Sequence, residues 1–241
     1  MGIALSRQWV RGSVVMLMGM ALIAISGCKT VTAPQTPGAM NVYIRLDDYG
    51  QGTTPVVVRF STASFDTVEF VSGETVACDG TFLAYDSGPI QRLVNYGAYT
   101  SEVARQPANG AYTIAYTPAH AAAITIPVKV VNAPVKAIQP VNGATVAIPT
   151  TDPLKIQYQP SGLDNTTILA IAQDSRNHIT FTLPLGETGT LSVQASQFSG
   201  FQPGPGTLSL VRVTTIRPGG TPFRSVQIDY ENIAKLQIVW Q

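Results

Sequence analysis

The sequence predicts an all-β protein. Two β-sandwich domains, residues 41–133 and 134–241, follow a cleaved apolar leader (1–27) and a short flexible tether (28–40). Three observations predict this. Short runs rich in Val, Ile, Thr and Tyr alternate apolar with polar residues, the period of a half-buried strand. Gly, Asn-Gly and Asp-Gly turns separate them about every ten residues, a spacing typical of sandwiches. Beyond the leader, no stretch carries a convincing helical period.

The leader opens with Arg7 and Arg11 and continues from Gly12 to Gly27 without a charge. A basic start and a short apolar run make a secretory signal. The run falls short of the roughly 20 residues that comfortably span a bilayer as a helix. It ends in Ile25, Ser26, Gly27 and Cys28. That ending resembles the lipobox of bacterial lipoproteins: an aliphatic residue, two small residues, then a cysteine. The resemblance implies diacylglycerol on the Cys28 thiol, cleavage before it and acylation of the new amino group. Lys29 stands where an Asp would favour retention in the inner membrane, so the same resemblance implies the outer membrane. Competing readings, an uncleaved anchor or N-myristoylation at Gly2, fit the Ser-Gly-Cys ending and the apolar run less well. Residues 29–40, with Pro34, Pro37 and Gly38, have no periodicity and read as the tether.

In the first domain, Val42, Ile44 and Leu46 alternate with Tyr43, Arg45 and Asp47. Strands then follow over 55–60, 67–71 and 75–78. Asp79-Gly80 reads as a hairpin turn leading into 81–85. Residues 91–105 are ambiguous. After Asn109-Gly110 come Tyr112, Ile114 and Tyr116, and 124–131 closes the domain. The run Gly110, Tyr112, Ile114, Tyr116 resembles the penultimate strand of an immunoglobulin-like domain, where a tyrosine anchors a corner. Asn132, Pro134 and Pro140 mark the boundary. Pro140 to Val146, with Asn142-Gly143, resembles the opening of bacterial immunoglobulin-like modules. Seven strands then read at 154–158, 167–173, 178–183, 190–193, 207–216, 225–230 and 234–240. Pro134 disfavours helix at Ala133, so the link between the domains reads as extended and stiff.

Without Arg7 and Arg11 the chain carries 13 basic and 14 acidic side chains, a balance that lacks the basic excess of nucleic-acid binders. With Cys28 acylated, Cys78 is the one remaining thiol, so no intrachain disulfide forms, and Cys78 reads as a small buried hydrophobe. His120 and His178 lack metal-site or triad spacing and read as surface or rim histidines. There is no Gly-x-Ser-x-Gly elbow and no phosphate loop, and the leader's cleavage site divides the Ser26 to Lys29 spacing. Asp47, Asp48, Asp79 and Asp86 lie at turns. They read as solvated aspartates rather than calcium ligands, which must supply six to eight oxygens. Tyr49, Tyr96, Tyr99, Phe198 and Phe201 fall in or near loops. Phe198 and Phe201 read as folding inward rather than as a protruding partner loop, and Trp240 as packed in the second domain.

These readings imply no catalytic, cofactor or metal residue. The expected function is a lipid-anchored, non-enzymatic envelope lipoprotein acting as a structural spacer or protein-interaction module for an envelope partner. A carbohydrate-binding module for cell-wall or external glycan is the alternative. An enzyme with a dispersed loop site is the remaining one. Cys28→Ala should abolish incorporation of radiolabelled palmitate and leave an uncleaved precursor. Normal acylation of that variant would sink the lipobox reading.

Overall fold

The computed structural model describes residues 30–31, 36–86 and 97–241. The signal segment, Cys28, Lys29 and Tyr96 lie outside these residues, as do residues 91–96 of the ambiguous stretch. The protein is all-β. Its strands are β1 (Thr30–Val31), β2 (Asn41–Asp48), β3 (Thr53–Ser61), β4 (Thr67–Val68), β5 (Thr75–Cys78), β6 (Thr81–Phe82), β7 (Ala84–Asp86), β8 (Ala98–Ala104), β9 (Ala111–Thr117) and β10 (Ile124–Lys129). The second half adds β11 (Ala137–Gln139), β12 (Thr145–Val146), β13 (Leu154–Tyr158), β14 (Thr166–Gln173), β15 (Ile179–Phe181), β16 (Leu185–Gly186), β17 (Thr190–Val193), β18 (Gly204–Ile216) and β19 (Ser225–Trp240).

One large sheet runs in the order β1-β4-β3-β2-β19-β18-β14-β15 through both halves of the sequence. Two smaller sheets, β10-β9-β5-β6 and β11-β13-β17, lie against it. Side chains alternate faces along a strand, and β19 uses this over its whole length. Val226, Ile228 and Tyr230 join a first core with Val42, Ile44, Phe60, Tyr112, Ile114 and Tyr116. Leu236, Ile238 and Trp240 join a second with Ile156, Tyr158, Ile168, Leu208 and Leu210. All six β19 residues are even-numbered, so both cores and both smaller sheets occupy one face of the large sheet.

The strands expected separately at 225–230 and 234–240 are therefore one 16-residue strand. Its register with β18 is continuous from Gly204↔Trp240 to Ile216↔Ile228. Residues 231–233, which lie between the two expected strands, are paired backbone. On its other edge β19 takes β2 in parallel, Ser225↔Asn41 to Asn232↔Asp48, and then β12 at Thr145↔Val239. Residues of the second half of the sequence thus complete the first core. Within the stretch read as a tether, Thr30–Val31 pair in parallel with Thr67–Val68, and Pro37–Ala39 form a 3₁₀ turn.

Local chemistry explains several turns. Asp79 and Gly80 both have positive φ (48° and 81°), the backbone of a two-residue hairpin. Tyr112 ends its side chain at a corner: its hydroxyl accepts the Gln106 N–H at 3.0 Å and lies 2.9 Å from Thr54 Oγ1. Gly206 has no room for a side chain, because a Cβ would stand 2.2 Å from Trp240 Nε1.

Between the two cores the inner face of the large sheet is polar. Arg212 and Asn232 are cross-strand partners there, and both donate to the link between the halves. Asn232 Nδ2 bonds Val131 O at 3.1 Å. Arg212 Nη1 bonds Ala133 O and Pro134 O, each at 2.8 Å, and Nη2 bonds Gln159 O at 2.6 Å. Arg212 Nε pairs with the Glu187 carboxylate, which also accepts the Ser161 hydroxyl at 2.8 Å. Arg212→Ala should destabilise the protein by about 3–5 kcal/mol, since it strands a buried carboxylate and several carbonyls. Arg212→Lys should recover little, because one ammonium cannot reproduce the planar fork. Urea unfolding of the three proteins measures both effects.

Candidate functional site

Apart from the Arg212 cluster and the Asp48–Arg105 pair, three places among the described residues gather polar side chains. The first is the turn after β14. Asp174 is buried and accepts the backbone N–H groups of Arg176, His178 and Gln202 at 2.8–2.9 Å. Its Oδ2 is also 2.8 Å from His178 Nδ1. Burial pushes the Asp174 carboxyl up, but the hydrogen bonds from His178, Gln202 and Arg176 outweigh it and hold the group below its ordinary range. An imidazole oriented in this way has the second half of a general-base dyad. Among the described residues no hydroxyl or thiol is hydrogen-bonded to His178. The signal was present in the sequence as an Asp and a His four residues apart within a turn.

Beside that turn runs a shallow groove of about 280 Å³, lined by Gln173, Asp174, Pro205, Gly206, Thr207, Lys235 and Gln237. Gln173, Thr207 and Gln237 stand in one row across β14, β18 and β19. Their spacing in sequence hides this, because only strand register brings them together. Amides, a hydroxyl and an ammonium make this groove a hydrogen-bonding surface.

The third place lies on the opposite face of the large sheet from the cores. Tyr43, Arg45 and Asp47 of β2 stand beside Gln227, Asp229 and Glu231 of β19. Arg45 Nε and Asp47 Oδ1 are 3.1 Å apart, close enough to pair as ions although the N–H is not aimed along a hydrogen bond.

The aspartates expected to be solvated at turns divide. Asp47 and Asp48 are buried and ion-paired, which corrects the expectation for both. Asp48 receives Arg105 Nε and Nη2 at 2.7 and 3.0 Å, Gly50 N at 2.8 Å and the Tyr230 hydroxyl at 3.1 Å. Burial raises the Asp48 carboxyl, and those four donors overcome it and hold it low. Asp79 is exposed and caps its hairpin by accepting Thr113 N and Gln106 Nε2. Asp86 is exposed at the end of β7. The four do not converge.

His120 is exposed in a turn. Phe198 and Phe201 are buried against Trp240, with ring centroids 5.7 and 5.5 Å away. Tyr99 is buried, and its hydroxyl accepts Phe70 N. Tyr49 is exposed. Among the described residues no group of three or more His, Cys, Asp and Glu side chains is arranged to hold a metal ion, and no helix is long and apolar enough to cross a membrane. The chain matches no family model and no curated protein.

Cys78 is buried in the first core, and burial, aided by the Asp79 charge, pushes its thiol up to about 12. The reactive species is the thiolate. Iodoacetamide at pH 8 should therefore leave Cys78 unmodified in the native protein and alkylate it rapidly in urea, as mass spectrometry would read directly.

Proposed function

We propose that this chain is a non-enzymatic envelope lipoprotein, anchored through Cys28, whose two immunoglobulin-like modules form a stiff spacer that presents loops to an envelope protein partner. The observation that carries the reading is the joint. A mobile linker would let two modules tumble, but β18 and β19 run unbroken through both cores, and Arg212 and Asn232 hold the carbonyls of Val131, Ala133 and Pro134. Reorienting one core against the other requires breaking a 13-pair ladder and exposing a buried guanidinium. The corner bond from Gln106 N to the Tyr112 hydroxyl supports the immunoglobulin-like reading of the first module. The lipobox and Lys29 support attachment at the outer membrane.

A second reading, a glycan-binding module, is favoured by the Gln173–Thr207–Gln237 row beside Lys235, whose donors and acceptors suit sugar hydroxyls. The buried state of Trp240 and of Phe198 and Phe201 removes three rings from any stacking platform.

Spin labels at Phe82→Cys and Leu163→Cys, which are 71% and 47% exposed and belong to different halves, test the spacer. Pulsed electron resonance should give one narrow distance distribution, and a broad or multiple one would defeat it. Co-sedimentation with purified cell-wall sacculi, abolished by Gln237→Ala, would instead favour the glycan reading.

A further inference from the structure

Glu231 is 1% exposed, and its Oε1 has no hydrogen-bond partner among the described residues. It is a carboxyl group at mid-strand, directly beside Asp47 on the neighbouring parallel strand. Adjacent residues in register share a face, so two carboxyl groups face one another across the β2–β19 seam, out of water. Two anions in such a place repel, and each loses its hydration.

Among the described residues, the surroundings of the pair supply little positive charge. From β2, Arg45 pairs with Asp47, and Tyr43 stands one pleat further on. Along β19 itself comes Asp229, a second acid, whose Oδ1 accepts the Thr215 hydroxyl at 2.8 Å. Arg59 of β3 sits beside Tyr43, a further strand away from Glu231. Tyr49 follows β2 and also lies within electrostatic reach of Glu231. On the other side β18 offers Val213 as the residue opposite Glu231, with Thr215 opposite Asp229 and Ile233 next along β19, none of them charged. Lys235 is two pleats away on the same face. Arg45 can neutralise one carboxylate of the Asp47–Glu231 pair, and the second must be met some other way.

We infer that Asp47 and Glu231 hold a proton between them, and that this proton makes the seam joining β2 to β19 a pH-sensitive latch. With Glu231 neutral, the face contains an Arg45–Asp47 ion pair beside an uncharged acid. When the proton leaves, an unpaired anion is left buried in the seam that closes the first core. Burial first, and then the charges of Asp47 and Asp229, raise the Glu231 carboxyl to about 8, with Arg45 opposing. Burial likewise raises Asp47 against the pull of Arg45. The titration belongs to the pair.

The sign follows from proton linkage. A carboxyl whose folded pKa lies above its unfolded value binds more protons in the folded state, so stability falls as pH rises. Below about pH 4.5 both states are protonated and the contribution is complete. Between there and about 8 it is lost, with the unfolding equilibrium constant rising up to about tenfold per pH unit for one proton. Above that it is flat. The acids held low, Asp48, Asp174 and Glu187, act in the opposite sense and only at more acidic pH.

The test uses the full chain purified in detergent. Urea unfolding of wild type should weaken steadily from pH 5.5 to pH 8.5. Glu231→Gln, which keeps the shape without the charge, should flatten that slope and match or exceed wild type at pH 8.5. Asp47→Asn should move the slope to lower pH. Carboxyl-carbon magnetic resonance of the wild-type protein gives an answer even where a variant fails to fold: the Glu231 signal should titrate near neutral pH or above. A Glu231 midpoint in the ordinary glutamate range, or an unchanged slope in Glu231→Gln, overturns the latch.

Discussion

Arg212 sits on the inner face of β18 at the level where the first core ends and the second begins, and its three nitrogens reach four partners. Removing a guanidinium from water costs several kcal/mol unless its donors are matched. Here Glu187 supplies the opposite charge, and the carbonyls of Ala133, Pro134 and Gln159 take the remaining donors. Each partner comes from a different loop or from the link between the halves. Satisfying one cation therefore fixes the position of the link, of the loop after β13 and of the loop after β16 at once. Glu187 is held low for the same reason, with the Ser161 N–H and hydroxyl and Arg212 overcoming the effect of burial.

The arrangement makes sense of the polar layer between the cores. A single strand as long as β19 could have carried one continuous apolar stripe. Instead its inward side reads Tyr230, Asn232, Ala234, Leu236, with Asn232 beside Arg212 and Asp48. The polar positions divide the apolar surface in two, and the chain between the halves passes over the division, where its carbonyls find donors. At the same level on the outer face, Asp47 and Glu231 stand side by side. Both faces of the seam are thus polar: the inner face sets Asn232 between Arg212 and Asp48, and the outer one gathers Asp47, Asp229 and Glu231 around Arg45.

Asp174 orients His178 but also accepts two backbone N–H groups of its own turn, Arg176 and His178, and that of the distant Gln202. That pattern is a turn staple, and the imidazole shares in it. The groove beside it is open and polar.

Strand by strand, much of this was legible in the sequence. Val42, Ile44 and Leu46 pointed inward as their alternation required, and 75–78, 154–158 and 190–193 are strands with those bounds, because a period of two and a flanking turn are properties of adjacent residues. The expected leader and the resemblance of Ile25 to Cys28 to a lipobox are likewise readings of local composition, and they lie outside the described residues. What only the tertiary structure decided was partnership. Residues 231–233 fell between two strands expected at 225–230 and 234–240, yet pairing with β18 on one side and β2 on the other carries the strand through them, with Asn232 between Arg212 and Asp48. Asp47 and Asp48 looked solvated because they precede a glycine turn, yet the parallel pairing of β2 with β19 covers them. The burial of a charge depends on which strand lies next to it, and parallel pairing joins residues almost two hundred positions apart, beyond the reach of any local pattern.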